Sequence, residues 1–395
     1  MKSSKELSKE VVVIGEDHNN TLNTVRFFGE RRIDCWLLVL SDLATENIRV
    51  LKSKYVKQKY TVLEKSGGGI LKWLTEYAKE KDDKSVILYP CCDFAAFVID
   101  QNYDFLSTKY IVPGFKGKQG KVAEMMDKYR QYEFAVKHNI PMAKTWKINP
   151  SECEISDLNF PCIIKPEISA LGSKSDICVA KDREELQYVL IKLADKGYDS
   201  LLIQQFIDKD YEACSFGCIL PNGESLYGTV KKQHEYPLKT GSTAYAYLVR
   251  NNKIEQLCDK IAKLLNEEGY TGQFDIEFIV SAEKIYLNEI NYRQSANVQA
   301  IIDAGILAPL VWCQAAAGEN ITDCYRRTNY ESYYMNDMNE FAYVVNTHSS
   351  FLKMIMRVIK TKSFAIWNGN DLRGTFAFYG PVIKKMIKRR FPSGK

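Results

Sequence analysis

Residues 272–297 read GQFDIEFIVSAEKIYLNEINYRQSAN, and the alternation within them decides the fold. Phe274, Ile276 and Phe278 interleave with Asp275 and Glu277, and further on Glu289, Asn291 and Arg293 take every second position. Side chains of one parity share one face of a strand, so each run is a strand with its polar groups gathered on one side. The short polar stretch from Ser281 to Lys284 joins them as a hairpin. Pairing Ser281 with Ile285 across a three-residue loop sets Glu277 opposite Glu289 and Asp275 opposite Asn291. An even loop puts the two sets on opposite faces.

Like charges facing one another across a sheet destabilise it unless a cation compensates. Magnesium, with manganese as its stand-in, suits the set Glu277, Glu289, Asn291 and Asp275, because it prefers hard oxygen ligands and leaves positions for phosphate and water. The competing reading is a solvated polar face on an edge hairpin. Zinc is excluded: the chain has four histidines and no Cys-x-x-Cys pair with the partners a zinc site requires.

Working outward, Val11–Ile14, Cys35–Leu40, Ser85–Tyr89 and Lys109–Val112 are short β-rich runs separated by helical stretches such as Leu22–Glu30 and Ile70–Lys81. Strands alternating with helices imply a parallel α/β sheet over residues 1–115. Gly15 is followed by EDHNNT, which lacks the glycines a dinucleotide-binding turn needs, so a nicotinamide enzyme is disfavoured. Ser66–Gly69 reads as an anion-binding nest or a flexible helix entry. Gly114–Lys121 resembles a phosphate-binding loop but is one residue too long and has Val122 where a hydroxyl is needed, so it reads as a basic, mobile connector. A helical segment runs from Val122 to His138. The apolar run Phe160–Ile164 then delivers Lys165 to a strand end, and SALGSKS (169–175) is a small-residue loop able to fold over phosphates. Glu184–Lys196 reads as an amphipathic helix, Leu201–Ile207 as a strand, and Ala300–Ala317 as a buried helical region.

The composition bounds the function. The 395 residues are 46% hydrophobic and 26% charged, room for two or three globular domains. A net charge of +5 is too mild to call for nucleic acid as a partner but leaves small anions open. The eleven cysteines are odd in number, with Cys91 and Cys92 adjacent, which favours free thiols over disulfides. MKSSKELSKEVVVIG has no secretory signal character and no segment reads as transmembrane, so a cytoplasmic protein is expected. The oligomeric state stays open, a homodimer included.

On the Glu289-Ile-Asn291-Tyr-Arg293 motif, preceded by Glu277, Lys165, the small-residue loop and the segment QQFI in that order, the chain resembles the ATP-grasp superfamily over about residues 116–325. The resemblance implies a Rossmann-like parallel α/β pre-ATP-grasp domain (1–115), a two-lobed ATP-grasp domain of mixed α/β and α+β character (116–325) and a C-terminal helical tail (326–395). It implies ATP and magnesium as cofactors, with Lys128, Lys165 and Ser173 on the phosphates and Lys174 adding catalytic charge. Gln204, Gln205, Phe206 and Ile207 would form the adenine hinge and Glu212 would hold the ribose; Gln204 departs from the hinge acid usual in the family. Arg293 would stabilise the transferred phosphoryl group.

Within the superfamily the chain is most similar to carboxylate-amine ligases of the D-aspartate ligase kind and their relatives associated with bacterial surface polymers. KKQHEYPLKTGS (231–242) is similar to that branch's acceptor segment, so Lys232, His234 and Ser242 are implied to hold the substrate carboxylate. The implied reaction is amide formation from a small carboxylate and an amine through an acyl phosphate. A biotin-carboxylase-like enzyme and a non-catalytic nucleotide-binding scaffold are the alternatives. Lys384, Lys385, Lys388, Arg389 and Arg390 read either as a weak contact with an anionic membrane surface or as the polar face of a solvated terminal helix.

Overall fold

The computed structural model describes residues 6–62, 67–150, 155, 157–167, 176–238, 241–321 and 332–390, with side chains as far as 381. The N-terminal domain is a four-stranded parallel sheet of β1 (Glu10–Glu16), β2 (Cys35–Leu40), β3 (Gln58–Val62) and β4 (Val86–Pro90), in the order β3-β2-β1-β4. Strand β1 is apolar at successive positions because both faces are covered. Val11 and Val13 pack into one core cluster, Val12 and Ile14 into another.

Two details differ from the sequence reading. Strand β3 was not expected, since QKYTV is mostly exposed at the sheet edge and has no apolar run to announce it. Lys109–Val112 is not a strand: the helix Tyr103–Lys109 takes its start, and only Ile111 bridges to Ile87.

The connector after this domain is pinned rather than mobile. Strand β5 (Gly114–Phe115) pairs antiparallel with Thr271 and Tyr270, and Lys116 N donates to Gly269 O at 3.0 Å. The expected helix 122–138 breaks into Lys121–Met125 and Lys128–Lys137, because Asp127 caps the second by accepting from Tyr129 N at 2.7 Å. Lys128 thereby becomes the first residue of the second helix.

The smaller lobe is an antiparallel sheet of β6 (Thr145–Ile148), β7 (Cys162–Pro166), β8 (Cys178–Ala180) and β9 (Leu201–Gln205), ordered β6-β9-β7-β8. The helix Arg183–Ala194 backs it, burying Leu186, Leu190 and Leu193 against Cys162, Ile164 and Ile203.

The larger sheet contains β10 (Tyr211–Ile219), β11 (Ser225–Tyr236), β12 (Ser242–Val249), β13 (Tyr270–Ser281), β14 (Lys284–Asn291), β15 (Tyr333–Met335) and β16 (Thr361–Phe364), ordered β14-β13-β10-β11-β12-β15-β16. The region beyond 325 is therefore not the purely helical tail that was expected. It adds β15 and β16 to this sheet alongside the helices Asp337–Asn346, Phe351–Lys360 and Leu372–Arg390. A buried ion pair, Arg26 Nε to Asp371 Oδ2 at 2.9 Å, ties that region to the N-terminal domain. Ala300–Ala317 is buried as expected, in the helices Val298–Asp303 and Ala308–Ala316. The nine described cysteines are free thiols. Among the described residues no helix is long and apolar enough to cross a membrane.

Candidate active site

The β13–β14 hairpin reaches the expected pairing by an unexpected route. Ser281 pairs with Lys284, so the turn is the two-residue Ala282-Glu283, both at positive φ (46° and 65°), and not a three-residue loop. A bulge then shifts the register: Phe278 faces Leu287, but the next pair is Glu277 and Glu289, leaving Asn288 as the extra residue. Glu277 thus stands opposite Glu289 and Asp275 opposite Asn291. Neither Ala282 nor Glu283 favours left-handed backbone, so nothing local in the sequence advertises this turn.

Two lysines lie beside Glu289. Lys128 Nζ lies 3.9 Å from Glu289 Oε1. Lys165, at the end of β7, is buried and donates to Gln204 Oε1 at 2.9 Å, while Gln204 Nε2 donates to Thr145 Oγ1 at 2.9 Å. Burial, reinforced by the nearby Lys128 charge and only partly offset by Glu289, pushes the Lys165 ammonium down to about 7. Gln204 therefore steadies a lysine. At the expected hinge, Gln205 N is already donating to Lys144 O and Phe206 N to Pro161 O, with Gln205 exposed and Phe206 and Ile207 half-buried.

On the other side, Glu212 accepts from Lys209 at 2.6 Å and from Lys232 at 2.7 Å. Burial alone would raise its pKa, yet the Lys232 and Lys209 charges hold it below the ordinary range. Lys232 also lies 3.9 Å from Glu277. Burial opposes its charge, but the Glu277 and Glu212 carboxylates more than compensate and raise its pKa. Of the three residues expected to hold the substrate carboxylate, Lys232 and His234 line one cavity and Ser242 is not part of its lining. Lys232 turns to these acids. His234 stacks on Tyr343 with ring centroids 4.1 Å apart, and its Nδ1 is 2.9 Å from Glu340 Oε2. Ser242 pairs with Tyr236 at the start of β12. Ser173, Lys174 and the rest of 168–175 lie outside the described residues.

Arg293 spans two domains: it donates to Asp275 Oδ2 at 3.2 Å and to Asp93 Oδ1 at 3.1 Å, the latter at the start of the helix Asp93–Gln101. Burial outweighs the Arg293 charge and pushes the Asp275 carboxyl up to about 6. The next residue is clamped to the N-terminal domain, since Gln294 accepts from Tyr89 Oη at 2.9 Å and its carbonyl from Asn20 Nδ2 at 2.7 Å. Asp93, Asn20, Thr145 and Glu340 were missed by sequence reasoning. The one available signal was the polar run EDHNNT at the carboxyl end of β1, where an α/β sheet gathers its functional groups.

Magnesium and ATP can be tested against these residues. A buried lysine beside a second lysine, its pKa depressed, is a site short of an anion, and phosphate would supply it. Asp275 Oδ1 is buried without a hydrogen-bond partner, and the Asn291 side chain donates through Nδ2 to Asp275 O at 3.3 Å, leaving its amide oxygen for a cation. Among the described residues no three His, Cys, Asp or Glu side chains form a metal cage. Magnesium needs none, because it takes one or two carboxylates and completes its shell with phosphate and water. Glu277 and Glu289 with Asn291 fit that pattern, while Asp275 is engaged with Arg293.

Comparison with known proteins agrees with this geometry. Residues 133–297 match the family model of the ATP-grasp domain. Among curated proteins it is similar to the D-alanine--D-alanine ligase of Campylobacter lari, 24% identical over 264 residues that cover 64% of this chain and 73% of that protein. Among solved structures it is similar in fold to an N5-carboxyaminoimidazole ribonucleotide synthetase in complex with ADP (TM-score 0.63, 14% identity, 84% of this chain and 82% of that one). It is likewise similar to the biotin carboxylase domain of the Hydrogenobacter thermophilus 2-oxoglutarate carboxylase with MgADP and bicarbonate (TM-score 0.64, 17% identity, 83% and 73%).

Proposed function

We propose that the protein is an ATP-dependent carboxylate-amine ligase that forms an amide through an acyl phosphate. The observation that carries this reading is the gathering of Lys128 and the buried Lys165 beside Glu289, which faces Glu277 across the hairpin. Such a set can bind a polyphosphate and a divalent cation at once, and the ligase relatives support the same chemistry.

Glu277, Glu289 and Asn291 would hold magnesium, which supplies charge neutralisation at the terminal phosphates. Lys165 and Lys128 bind phosphate oxygens, and Gln204 fixes the Lys165 ammonium in place. The substrate carboxylate attacks the γ-phosphorus of ATP, ADP leaves, and the amine then displaces phosphate from the acyl phosphate. Arg293, steadied by Asp93 and Asp275, stabilises charge on the transferred phosphoryl group. Glu212 holds the nucleotide ribose. The finer reading is a role in building cell-wall or surface polymers, supported by the likeness of residues 231–242 to that branch.

Phosphate and ADP release from Mg-ATP, measured across carboxylates paired with amines beside Glu289→Ala, tests this. Turnover that requires both reactants and disappears in the variant is expected. Release that depends on bicarbonate and needs no other carboxylate would replace the proposal with carboxyphosphate chemistry, the alternative to which the biotin carboxylase likeness points.

A further inference from the structure

A cavity of about 540 Å³ adjoins the carboxylate cluster, sharing Lys232 with it, and is walled by β11, β12, β15 and the helix Phe351–Lys360. Its charges are unbalanced. Lys231, Lys232, Arg357 and Lys360 line it, against the single carboxylate of Asp210. Two of these cations are neutralised internally: Lys232 by Glu212, and Arg357 by Glu340, whose fully buried carboxylate accepts from Arg357 Nε at 2.7 Å. The other two have no carboxylate partner among the described residues. Lys231 Nζ rests 3.8 Å from the centroid of the Tyr211 ring, and Lys360 closes the last turn of its helix. Tyr245 and Tyr333, stacked with centroids 5.5 Å apart, complete an aromatic wall.

We propose that this cavity receives a substrate with a second anionic group besides the carboxylate that is activated, and that Lys231 and Lys360 are its charge partners. The proposal rests on the ligase reading and names the substrate class for it. A singly charged substrate would use up its one carboxylate at the phosphoryl-transfer end and leave Lys231 and Lys360 without a carboxylate partner among the described residues. Two cations lining one cavity favour a second anion by direct attraction. Glu340 plays a positioning part: it bridges His234 and Arg357, and so fixes the helix Phe351–Lys360 against β11. Tyr333, Arg357 and Lys360 lie outside the stretch that matches the ATP-grasp domain, so this wall is built by the chain's own C-terminal region. The second anion is a carboxylate or a phosphate, since either meets a lysine pair equally well.

Calorimetric titration of the full chain, saturated with Mg-ADP, separates these cases. The probes are succinate, glutarate and phosphoserine, each beside an analogue that lacks the second anionic group (butyrate, valerate, serine). Dianions should bind about tenfold more tightly than their analogues. Lys231→Met and Lys360→Met should each remove most of that preference, with Mg-ADP affinity changing less than about twofold, whereas Lys353→Met, exposed on the same helix, should change neither. Preference for phosphoserine over the dicarboxylates, or the reverse, identifies the second anion. Equal affinity for dianions and monoanions, no binding of any dianion, or variants that weaken Mg-ADP instead would each overturn the proposal. Dianion binding without ATP turnover with any amine would overturn the ligase reading and leave the dianion site standing. Turnover with monoanions alone would do the opposite.

Discussion

Nucleotide binding should take up a proton, and Lys165 should be where the proton goes. In the empty protein its pKa is pushed down to about 7, by burial first and then by Lys128. Near pH 8 roughly nine-tenths of Lys165 is therefore neutral. Phosphate oxygens placed against the ammonium restore a value near or above the ordinary 10.5, so each complex formed near pH 8 should bind about 0.9 proton. The affinity for Mg-ADP should then fall roughly 50- to 100-fold between about pH 7.5 and about pH 9.5, close to 2.5 kcal/mol. The nucleotide's own phosphates are ionised across that range and add little slope. Calorimetry in two buffers of different ionisation heat reads the proton directly. Lys165→Met should abolish both the uptake and the slope. A wild-type protein with flat affinity and no uptake near pH 8 would refute the argument, because it would mean that Lys165 is charged when empty or does not meet the phosphates.

The same shift acts on stability with a definite sign. Below about pH 7 both folded and unfolded chains carry the proton, and the folded chain bears the full cost of burying it. Between that pH and 10.5 the unfolded chain holds the extra proton, so stability rises with pH, by on the order of 3 to 5 kcal/mol in all. Lys165→Met strands Gln204 Oε1 at a cost of about 1 kcal/mol. It should still raise the melting temperature of the empty protein near pH 6.5 while weakening nucleotide binding.

Glu289→Gln should reduce turnover by about 100-fold or more at any magnesium concentration, with nucleotide affinity in the absence of magnesium unchanged or improved, as fluorescence titration would read; equal loss with and without metal would count against a cation role. Arg26→Met leaves the buried Asp371 carboxylate with only Ser53 Oγ and backbone amides, and should cost about 3 to 5 kcal/mol in urea unfolding. Burial tends to raise Asp371, but Lys54 N, Ser53 and Arg26 hold it below 3.8, so its contribution is present above that value and lost as pH falls through the folded one. Arg26→Met should accordingly unfold at a higher pH than wild type in an acid titration. Replacing Ala282-Glu283 by Asn-Gly suits the positive-φ turn and should stabilise by about 1 kcal/mol in thermal unfolding with activity intact.

Period and alternation made β1, β2, β4 and the β13–β14 hairpin legible, because each buries apolar side chains at a fixed spacing. The polar edge strand β3 carried no such signal, and β15 and β16 were hidden for a different reason: each is only a few residues long, β15 becoming a strand by adding to β12 and β16 by adding to β15. The facing of Glu277 and Glu289 was anticipated through the wrong loop. Bulging Asn288 out restores the pairing that a two-residue turn would have broken, since a one-residue slip otherwise turns Glu289 to the opposite face. The bulge is thus what allows a tight turn and a metal-type pair to coexist on one hairpin.

Gln204 and Arg293 show why side-chain roles were harder to read than strands. Gln204 occupies a hinge position in sequence, yet its amide lies between Lys165 and Thr145, a partnership that exists only once β6, β7 and β9 pair. Arg293 ends the most legible motif in the chain, but its second carboxylate, Asp93, is 200 residues away on the N-terminal domain. The consequence is mechanical. Asp93 and the Gln294 clamp fix the guanidinium from the N-terminal side, whereas Lys165 belongs to the smaller lobe, so in the proposed reaction the phosphoryl group would be gripped by three parts of the molecule at once. Removing Asp93 should therefore lower turnover more than nucleotide affinity, because it loosens the group that meets the transferred phosphoryl and leaves the lysines that bind it in place.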